Sequence, residues 1–283
     1  MATRVDRTGE NSFLKWAGGK TRYASALAAL APVEFERYFE PFMGSAAVFF
    51  ELRPSRAVLS DANEELVVSF QEVARDPEAV MELLDQMPNE RKYFERVRAR
   101  DPKQLTRTER AARVVYLNKT AFRGLWRVNK RGQYNVPYGA YDRPYYNRST
   151  FLAASAALAR PGIEARHIDY TEALAEAGEG DWVYLDPPYV PLGGYSDFKR
   201  YTSAQFHDED HRRLAELMRE ASSRGAYVLL TNADKPEVRE LYDGFAMTTL
   251  ATRRDINLNA RGRASADLVV TNYTEFRQER LAV

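Results

Sequence analysis

The tetrapeptide Asp186-Pro187-Pro188-Tyr189 places two hydrogen-bond acceptors and an aromatic face just after the apolar run 182–185. Proline fixes φ and has no N–H, so consecutive prolines leave nearby carbonyl oxygens free to accept hydrogen bonds in a stiff loop. An Asp carboxylate and a Pro carbonyl together suit the two hydrogens of a planar exocyclic amino group, such as N6 of adenine or N4 of cytosine. An ordinary strand-ending turn is the alternative for this segment taken alone.

Two further segments could hold a small ligand. The turn from Glu40 to Gly44 precedes a predicted helix, and Asp61 ends the next predicted strand, where an acidic side chain can bind ribose hydroxyls. Trp16 and Lys20 flank a Gly-Gly turn and could stack on and clamp such a ligand. The GxGxxG phosphate fingerprint is absent, which argues against a dinucleotide or P-loop nucleotide. A purely structural turn is the alternative at both places.

Thiol and metal chemistry have little material in this chain. It contains no cysteine, which excludes disulfides, Cys-ligated zinc and a thiolate nucleophile. His207 and His211 stand four residues apart, but the residue after the first is Asp208, where the metalloprotease pattern requires Glu. Acidic residues are favoured in the first turn of a helix, which explains this cluster without a metal. We therefore predict no metal site.

The candidate residues fall at the ends of predicted strands. Strands are expected at 37–39, 57–60, 181–185, 227–230 and 267–273, and helices at 20–30, 46–52, 66–73 and 208–222. The opening strand–turn–helix–strand pattern is typical of a doubly wound α/β sheet. Residues 71–163 are helical and basic and then turn-rich. We predict a catalytic α/β domain built from 1–70 and 164–283, interrupted by a mostly helical domain at 71–163.

The charge of the chain is distributed unevenly. The 283 residues carry a net charge of +1, but residues 91–150 hold 16 Lys or Arg and 4 Asp or Glu, a net +12. The rest holds 25 and 36, a net −11. Ten aromatic residues lie within the same sixty, and a basic block with stacking side chains indicates nucleic-acid binding. A solvated helical surface is the alternative.

No apolar stretch reaches the roughly 18 residues that a membrane span requires, and residues 1–13 lack an apolar signal region. We therefore expect no membrane partner and a cytoplasmic location. The sequence does not specify an oligomeric state and is compatible with a monomer.

Seven motifs occur in the order found in the Dam-like DNA adenine-N6 methyltransferases of the α group, which this chain resembles from about residue 11 to 276. They are FLKWAGGK, EPFMGSAAVFF, LSDAN, LNKTAFRGLWRVN, GQYNVPYGAY, DPPY and TNY. The resemblance implies a Rossmann-like, S-adenosylmethionine-dependent methyltransferase domain with an inserted target-recognition domain. It also implies methyl transfer to N6 of an adenine flipped out of double-stranded DNA, in restriction–modification, housekeeping or phage biology.

The resemblance assigns roles position by position. Asp186, Pro187, Pro188 and Tyr189 match the catalytic motif. The residues expected to bind the cofactor are Trp16, Lys20, Glu40, Phe42, Gly44, Asp61 and Asp186. Phe122 matches an aromatic residue that inserts into the DNA stack, and Leu125, Arg127 and Pro137 match base-reading residues of relatives that methylate GATC. Arg127 is expected to grip a guanine edge, so GATC or a related short motif is predicted.

Two positions depart from the family pattern. Arg123 stands where many relatives have an Asn that helps fill the space left by the flipped base, and an Arg there could stack on the orphan base, pair with it or contact phosphate. Gly193 and Gly194 replace a more polar loop. The alternatives at this stage are methylation of cytosine N4 in DNA or of adenine in RNA, and a catalytically silent DNA-binding protein. Cytosine-C5 methylation is excluded because it normally requires a thiolate.

Overall fold

The computed structural model describes residues 12–141, 145–189, 206–253 and 264–277, which contain seven strands in one sheet. The strands are β1 (Tyr38–Glu40), β2 (Ala57–Ser60), β3 (Ile163–Arg166), β4 (Trp182–Leu185), β5 (Tyr227–Ala233), β6 (Ala246–Arg253) and β7 (Ala264–Thr271). Their order is β3-β2-β1-β4-β5-β7-β6. The pairs of β1 to β5 are parallel, and β7 runs antiparallel to both of its neighbours.

Ten α-helices surround the sheet in the described ranges. They are α1 (Ala24–Ala29), α2 (Ala47–Leu52), α3 (Glu64–Arg75), α4 (Pro77–Asp85), α5 (Arg91–Ala99), α6 (Arg107–Thr120), α7 (Arg148–Leu158), α8 (Tyr170–Glu176), α9 (Asp208–Ser223) and α10 (Pro236–Leu241). None of these helices has the length and apolar character needed to cross a membrane.

The strand order reverses between β1 and β4. The chain builds outward from β1 through β2 to β3 and then returns to place β4 on the other side of β1. In doubly wound sheets, ligands bind at the carboxyl ends of the strands at such a reversal. The predicted α/β architecture is therefore confirmed, and the segment 186–189 begins at the reversal.

Alternating strand residues face two separate apolar layers. Tyr38, Trp182 and Tyr184 pack on one side with α1 to α7, and Phe39 and Val183 pack on the other with α8, α9 and α10. Successive side chains of a strand point to opposite faces, so each strand contributes to both layers.

The basic helical segment shares its core with the sheet. Phe94 of α5 and Tyr116 of α6 are fully buried in the same apolar cluster as Tyr38 of β1. Helix α6 packs on α3, and α3 in turn contacts β3, so this segment shares one continuous core with that face of the sheet. The division at 71 and 163 stays a prediction, and α3 extends across its first boundary.

Helix α6 begins with a reciprocal cap. The Thr106 hydroxyl accepts a hydrogen bond from the Glu109 N–H at 3.3 Å, and the Glu109 carboxylate accepts one from the Thr106 N–H at 2.9 Å. Such a capping box satisfies two backbone donors that the first helical turn leaves unpaired. The helix ends at Thr120, so it delivers the chain directly into residues 121–127, which we call the recognition loop.

Candidate active site

Three acidic residues converge where the strands end. Glu40 is the last residue of β1, Asp61 follows β2 and Asp186 follows β4, and these strands are parallel neighbours. Because the carboxyl ends of parallel strands share one edge of the sheet, the three carboxyl groups lie at the same edge. The structure thus brings together the first and second candidate segments of the sequence.

Lys20 holds the carboxylate of Asp186. Its Nζ lies 2.6 Å from Oδ1 and 2.8 Å from Oδ2, and it also donates to the Gly18 carbonyl at 3.1 Å. The Lys20 side chain is 7% exposed and that of Asp186 is 17% exposed. Residue 20 was expected in a helix, but α1 begins at Ala24, and Lys20 instead lies in the preceding turn. There its side chain can reach across to the end of β4.

Thr231 of β5 completes the surroundings of Asp186. Its buried hydroxyl donates a hydrogen bond to Oδ1 at 2.8 Å. Burial raises the pKa of Asp186 above its usual value, and the nearby charge and hydrogen bond of Lys20 act in the opposite direction. A carboxylate offers about four acceptor sites, of which Lys20 takes two and Thr231 one. Among the described residues, this count leaves one site on Oδ2 for a further donor.

Tyr189 is fixed at both its hydroxyl and its ring. The hydroxyl donates to Asp267 Oδ2 on β7 at 2.9 Å, and Lys20 Nζ lies 4.7 Å from the ring centre. Thr231 and Asp267 were not among the expected site residues. Thr231 follows the predicted strand 227–230, which neighbours the strand before Asp186, and this position at the sheet edge is the signal that would have found it. Asp267 lies on β7, which β5 separates from β4, so no such signal identifies it.

Glu40 is a buried carboxyl group whose pKa is shifted toward the protonated form. It accepts a hydrogen bond from the Tyr38 hydroxyl at 2.9 Å, and burial raises its pKa to about 8. A neutral Glu40 avoids a second negative charge beside Asp186, whose proximity is one of the influences that raise the pKa of Glu40.

Asp61 ties the turn after β1 to the turn after β2. Its Oδ2 accepts the Gly44 N–H at 3.2 Å and its Oδ1 accepts the Asn63 N–H at 2.9 Å. Burial raises its pKa to about 6, and these backbone hydrogen bonds act against the rise. Each oxygen keeps a second lone pair, so a pair of hydroxyl groups fits this carboxylate.

Nearby polar atoms are also ready for a ligand. The Ser60 hydroxyl and the Asn63 side-chain NH₂ are buried on either side of Asp61 and have no hydrogen-bond partner among the described residues. Buried polar groups are usually satisfied, so such exceptions call for an explanation such as a bound molecule. This donor set fits a nucleoside cofactor.

Trp16 packs against the backbone of Gly44. A Cβ at residue 44 would lie 2.8 Å from Trp16 Cδ1, and Gly44 has a φ of +46°. Trp16 also stacks with Trp126, with ring centres 5.9 Å apart and planes 20° apart. Phe42 is directed differently, since it stacks on Tyr170 at 5.4 Å. The structure therefore places Trp16 and Gly44 in contact and Phe42 with the layer of α8.

The recognition loop presents its aromatic residue to solvent. Phe122 is 46% exposed, and the Arg123 guanidinium lies 5.3 Å from its ring centre. Arg123 has a left-handed backbone, with φ of 57°, and its N–H donates to the Tyr141 hydroxyl at 2.6 Å. Leu125 is half-buried.

The other two proposed base readers are Pro137, which is hydrogen-bonded to this loop, and Arg127, which is its last residue. The Pro137 carbonyl accepts the Phe122 N–H at 2.9 Å, which joins residue 137 to the loop. Arg127 Nε donates to Asn135 Oδ1 at 2.8 Å, so its guanidinium is partly engaged within the protein. Gly193 and Gly194 lie outside the described residues.

The interpretation of the aromatic residues in the basic block as a stacking surface is wrong for four of the ten. Phe94, Tyr116, Trp126 and Tyr134 are at most 5% exposed, because they form the core beneath α5 and α6. Among the described aromatic residues of this block, only Phe122 is exposed. Composition could not separate a core aromatic from a surface one.

His207 precedes α9, and His211 is buried and packs edge-on against Phe206 at 4.8 Å. The described residues contain no group of three His, Asp or Glu side chains that could hold a metal ion.

An open α/β sheet with a carboxylate after β2 and a polar loop after β4, at the reversal of strand order, is the arrangement of enzymes that bind a nucleoside cofactor at the sheet edge. The sequence profile of the D12 class N6 adenine-specific DNA methyltransferases matches residues 16–256. The chain therefore belongs to this family, as its resemblance to the Dam-like enzymes predicted.

Individual relatives agree over nearly the whole chain. The type II methyltransferase M1.LlaDCHI of Lactococcus lactis is 36% identical over 269 residues, which cover 92% of this chain and 95% of the relative. The type II methyltransferase M.MjaIII of Methanocaldococcus jannaschii is 32% identical, with 92% and 98% covered. The DNA adenine methylase of Escherichia coli K12 is 31% identical, with 93% and 95% covered.

Proposed function

We propose that this DNA adenine-N6 methyltransferase uses S-adenosylmethionine and acts on an adenine flipped out of double-stranded DNA, within GATC or a related short motif. The observation that carries the proposal is the single open acceptor site on Asp186, at the sheet reversal and beside the Pro187 carbonyl. Because DNA is its substrate, we propose that the enzyme acts in the cytoplasm.

The cofactor site is proposed to consist of Asp61, Gly44 and Trp16, with Ser60 and Asn63 as additional polar contacts. Asp61 would accept the two ribose hydroxyls, and Gly44 would let the ligand approach the backbone beside the Trp16 ring. Glu40, at the end of β1, and Phe42, which stacks on Tyr170, would hold this turn in place. When bound, S-adenosylmethionine supplies a methyl group already activated by its sulfonium.

The catalytic loop is proposed to prepare the adenine amino group. N6 is a weak nucleophile because its lone pair is delocalised into the ring. Asp186 Oδ2 and the Pro187 carbonyl would each accept one N6 hydrogen, which favours a pyramidal nitrogen and frees the lone pair. Pro188 stiffens the loop, and the Tyr189 ring would stack on the base. Positioning and electrostatics then account for the catalysis.

The recognition loop is proposed to open the duplex. Flipping a nucleotide costs a few kcal/mol, and an inserted side chain can offset part of it. Phe122 is exposed and suits this role, and Arg123 is adjacent and positively charged where it would meet the orphan base or a phosphate. Leu125, Arg127 and Pro137 are the proposed base readers, with Arg127 leaving Asn135 to pair with guanine.

Mapping of modified bases tests the substrate and the motif. Purified protein is incubated with S-adenosylmethionine and methyl-free genomic DNA, and modified bases are located by single-molecule sequencing. N6-methyladenine confined to GATC is expected. Another short motif would show that Arg123 retunes recognition, and N4-methylcytosine would overturn the base assignment. Methylation of RNA alone would overturn the DNA duplex assignment.

Substitution of Asp186 tests the catalytic residue. Asp186→Ala should lower the single-turnover methylation rate by at least about 10³-fold, because the positioned acceptor is lost. DNA affinity should stay within about threefold, because phosphate contacts dominate it. Asp234→Ala is the control, since Asp234 follows β5 as Asp186 follows β4 but is paired with Arg239 at 2.6 Å. Equal activity of the two variants would refute the role of Asp186.

A further inference from the structure

Asn118 joins two motifs that are about one hundred residues apart in the sequence. Its Oδ1 accepts the Lys15 N–H at 2.9 Å, and its Nδ2 donates to the Lys15 carbonyl at 2.5 Å and to the Gly124 carbonyl at 3.1 Å. The side chain is fully buried on α6. One amide therefore binds the backbone of residue 15 in both directions and the backbone of the recognition loop at the same time.

Two packing contacts reinforce this junction. A Cβ at Gly124 would lie 3.1 Å from Lys15 Cβ, so the loop backbone rests on the Lys15 side chain. Trp16, the residue after Lys15, stacks on Trp126, two residues after Gly124. Buried hydrogen bonds and close packing of this kind permit few alternative arrangements.

The same N-terminal segment ends at the catalytic carboxylate. Residues 15–20 form a tight turn in which the Gly19 N–H donates to the Trp16 carbonyl at 2.9 Å. A Cβ at Gly19 would lie 2.8 Å from that carbonyl oxygen. At the far end of the turn, Lys20 contacts both oxygens of Asp186. Lys20, whose ammonium binds Asp186, is only five positions after Lys15, whose backbone Asn118 binds.

We propose that Asn118 is a positioning residue that makes the methylation rate depend on correct DNA recognition. It keeps the recognition loop and residues 15–20 in one register, so the loop conformation that fits the right bases also places Lys20 and Asp186 correctly. This inference rests on the proposed roles of the recognition loop and of Asp186. It adds that sequence discrimination appears in the methyl-transfer step and not only in DNA affinity.

The physical reason is that a mismatched base pair displaces the loop. Asn118 and Gly124 transmit this displacement to the backbone of Lys15, and the tight turn transmits it to Lys20. A displacement of about 1 Å at reacting groups can cost about 10²-fold in rate. Without the Asn118 amide, packing alone joins the loop to residues 15–20, and correct recognition favours the reactive arrangement much less.

The test compares single-turnover methylation rates on two duplexes. One contains the motif found by modified-base mapping, and the other differs from it by one base pair next to the target adenine. Asn118→Ala should slow the matched duplex by at least about tenfold and the altered duplex by much less, because only the matched duplex uses the coupling. The ratio of the two rates should therefore fall at least about fivefold.

A merely structural role predicts a different result. If Asn118 only stabilises α6, both duplexes slow by the same factor and their ratio is unchanged, which would overturn the proposal. Asn147→Ala is the control, because Asn147 caps α7 through the Thr150 N–H at 3.0 Å and does not join the two motifs. Its rate ratio should equal that of the wild type.

A second variant keeps the test valid if Asn118→Ala does not fold. Trp126→Phe retains an apolar ring but weakens the stack on Trp16, and its rate ratio should fall in the same direction. An unchanged ratio in a folded Trp126→Phe would equally overturn the coupling. The Asp186→Ala result is independent, because the ratio compares duplexes whichever residue performs the chemistry.

Discussion

The Lys20–Asp186 ion pair sets the protonation state of the proposed catalytic carboxylate. Burial alone would favour the protonated acid, which could not accept an N6 hydrogen on the protonated oxygen. The ammonium at 2.6 Å opposes this and favours the ionised acceptor. Lys20 therefore influences the reaction through Asp186 as well as through any contact with the cofactor.

Replacement of Lys20 by Met should shift the pH dependence of the reaction. Without the ammonium the pKa of Asp186 rises further, so the ionised form is lost at a higher pH. The acidic limb of the single-turnover rate profile is expected to move to higher pH. If it moves by one pH unit, the rate at a fixed pH on that limb falls about tenfold. Lys20→Arg keeps the charge and should keep the limb. Identical limbs in the Met and wild-type enzymes would contradict this reasoning.

Glu40 should make folding stability depend on pH. Its pKa is about 8 in the folded protein against an ordinary value of 4.5. The folded state therefore keeps a proton that the unfolded chain releases, and its stabilising effect, fully present below about pH 4.5, is lost as pH rises toward 8. The loss is at most about 5 kcal/mol.

Glu40→Gln carries no titrating group, so it should gain stability relative to the wild type between pH 5 and 8. Urea unfolding at several pH values measures the difference, with Glu95→Gln on the exposed face of α5 as the control for a lost charge. Parallel curves for wild type and Glu40→Gln would show that Glu40 does not retain the proton.

At the scale of elements, the turn between β1 and α2 is a closely packed part of the proposed cofactor site. Gly44→Ala would place a methyl group 2.8 Å from Trp16 Cδ1 at a φ that side chains rarely adopt. We expect the affinity for S-adenosylmethionine to fall at least about tenfold, since the ring and the backbone must separate. Calorimetric titration measures it. Gly178→Ala, where nothing lies within 4 Å, should bind normally, and equal affinities would exclude the contact.

The sequence predicted the central strands because they are apolar and end at chemically informative residues. It missed β3 and β6, which are the two edge strands. β3 is only partly buried, so it lacks the apolar run that identifies a buried strand. The site was predictable where motifs supplied it. Asn118 and Asp267 were not, because their importance arises from contacts between elements distant in sequence.

The charge asymmetry between the basic block and the rest of the molecule is partly offset by ion pairs within the fold. Several arginines of the basic block pair with acidic residues outside it: Arg107 with Glu72 at 2.9 Å, Arg148 with Glu78 at 3.1 Å and Asp85 at 2.8 Å, and Arg110 with Glu64 and Glu65. These pairs join α6 and α7 to α3 and α4. The net +12 therefore overstates the charge available to DNA phosphates.

Arg91 and Arg148 allow this partition to be measured, because each is the first residue of its helix, α5 or α7. Arg148 is paired with two carboxylates, whereas the Arg91 guanidinium lies 5.5 Å from the ring centre of Tyr138, next to Pro137. Each phosphate contact contributes about 0.9 to the slope of log affinity against log salt concentration. Arg91→Ala should lower that slope by about this amount, and Arg148→Ala should leave it unchanged. If the slope fell equally in both variants, the internal ion pairs would have to open on binding. The arginines that they engage would then also contact DNA phosphates.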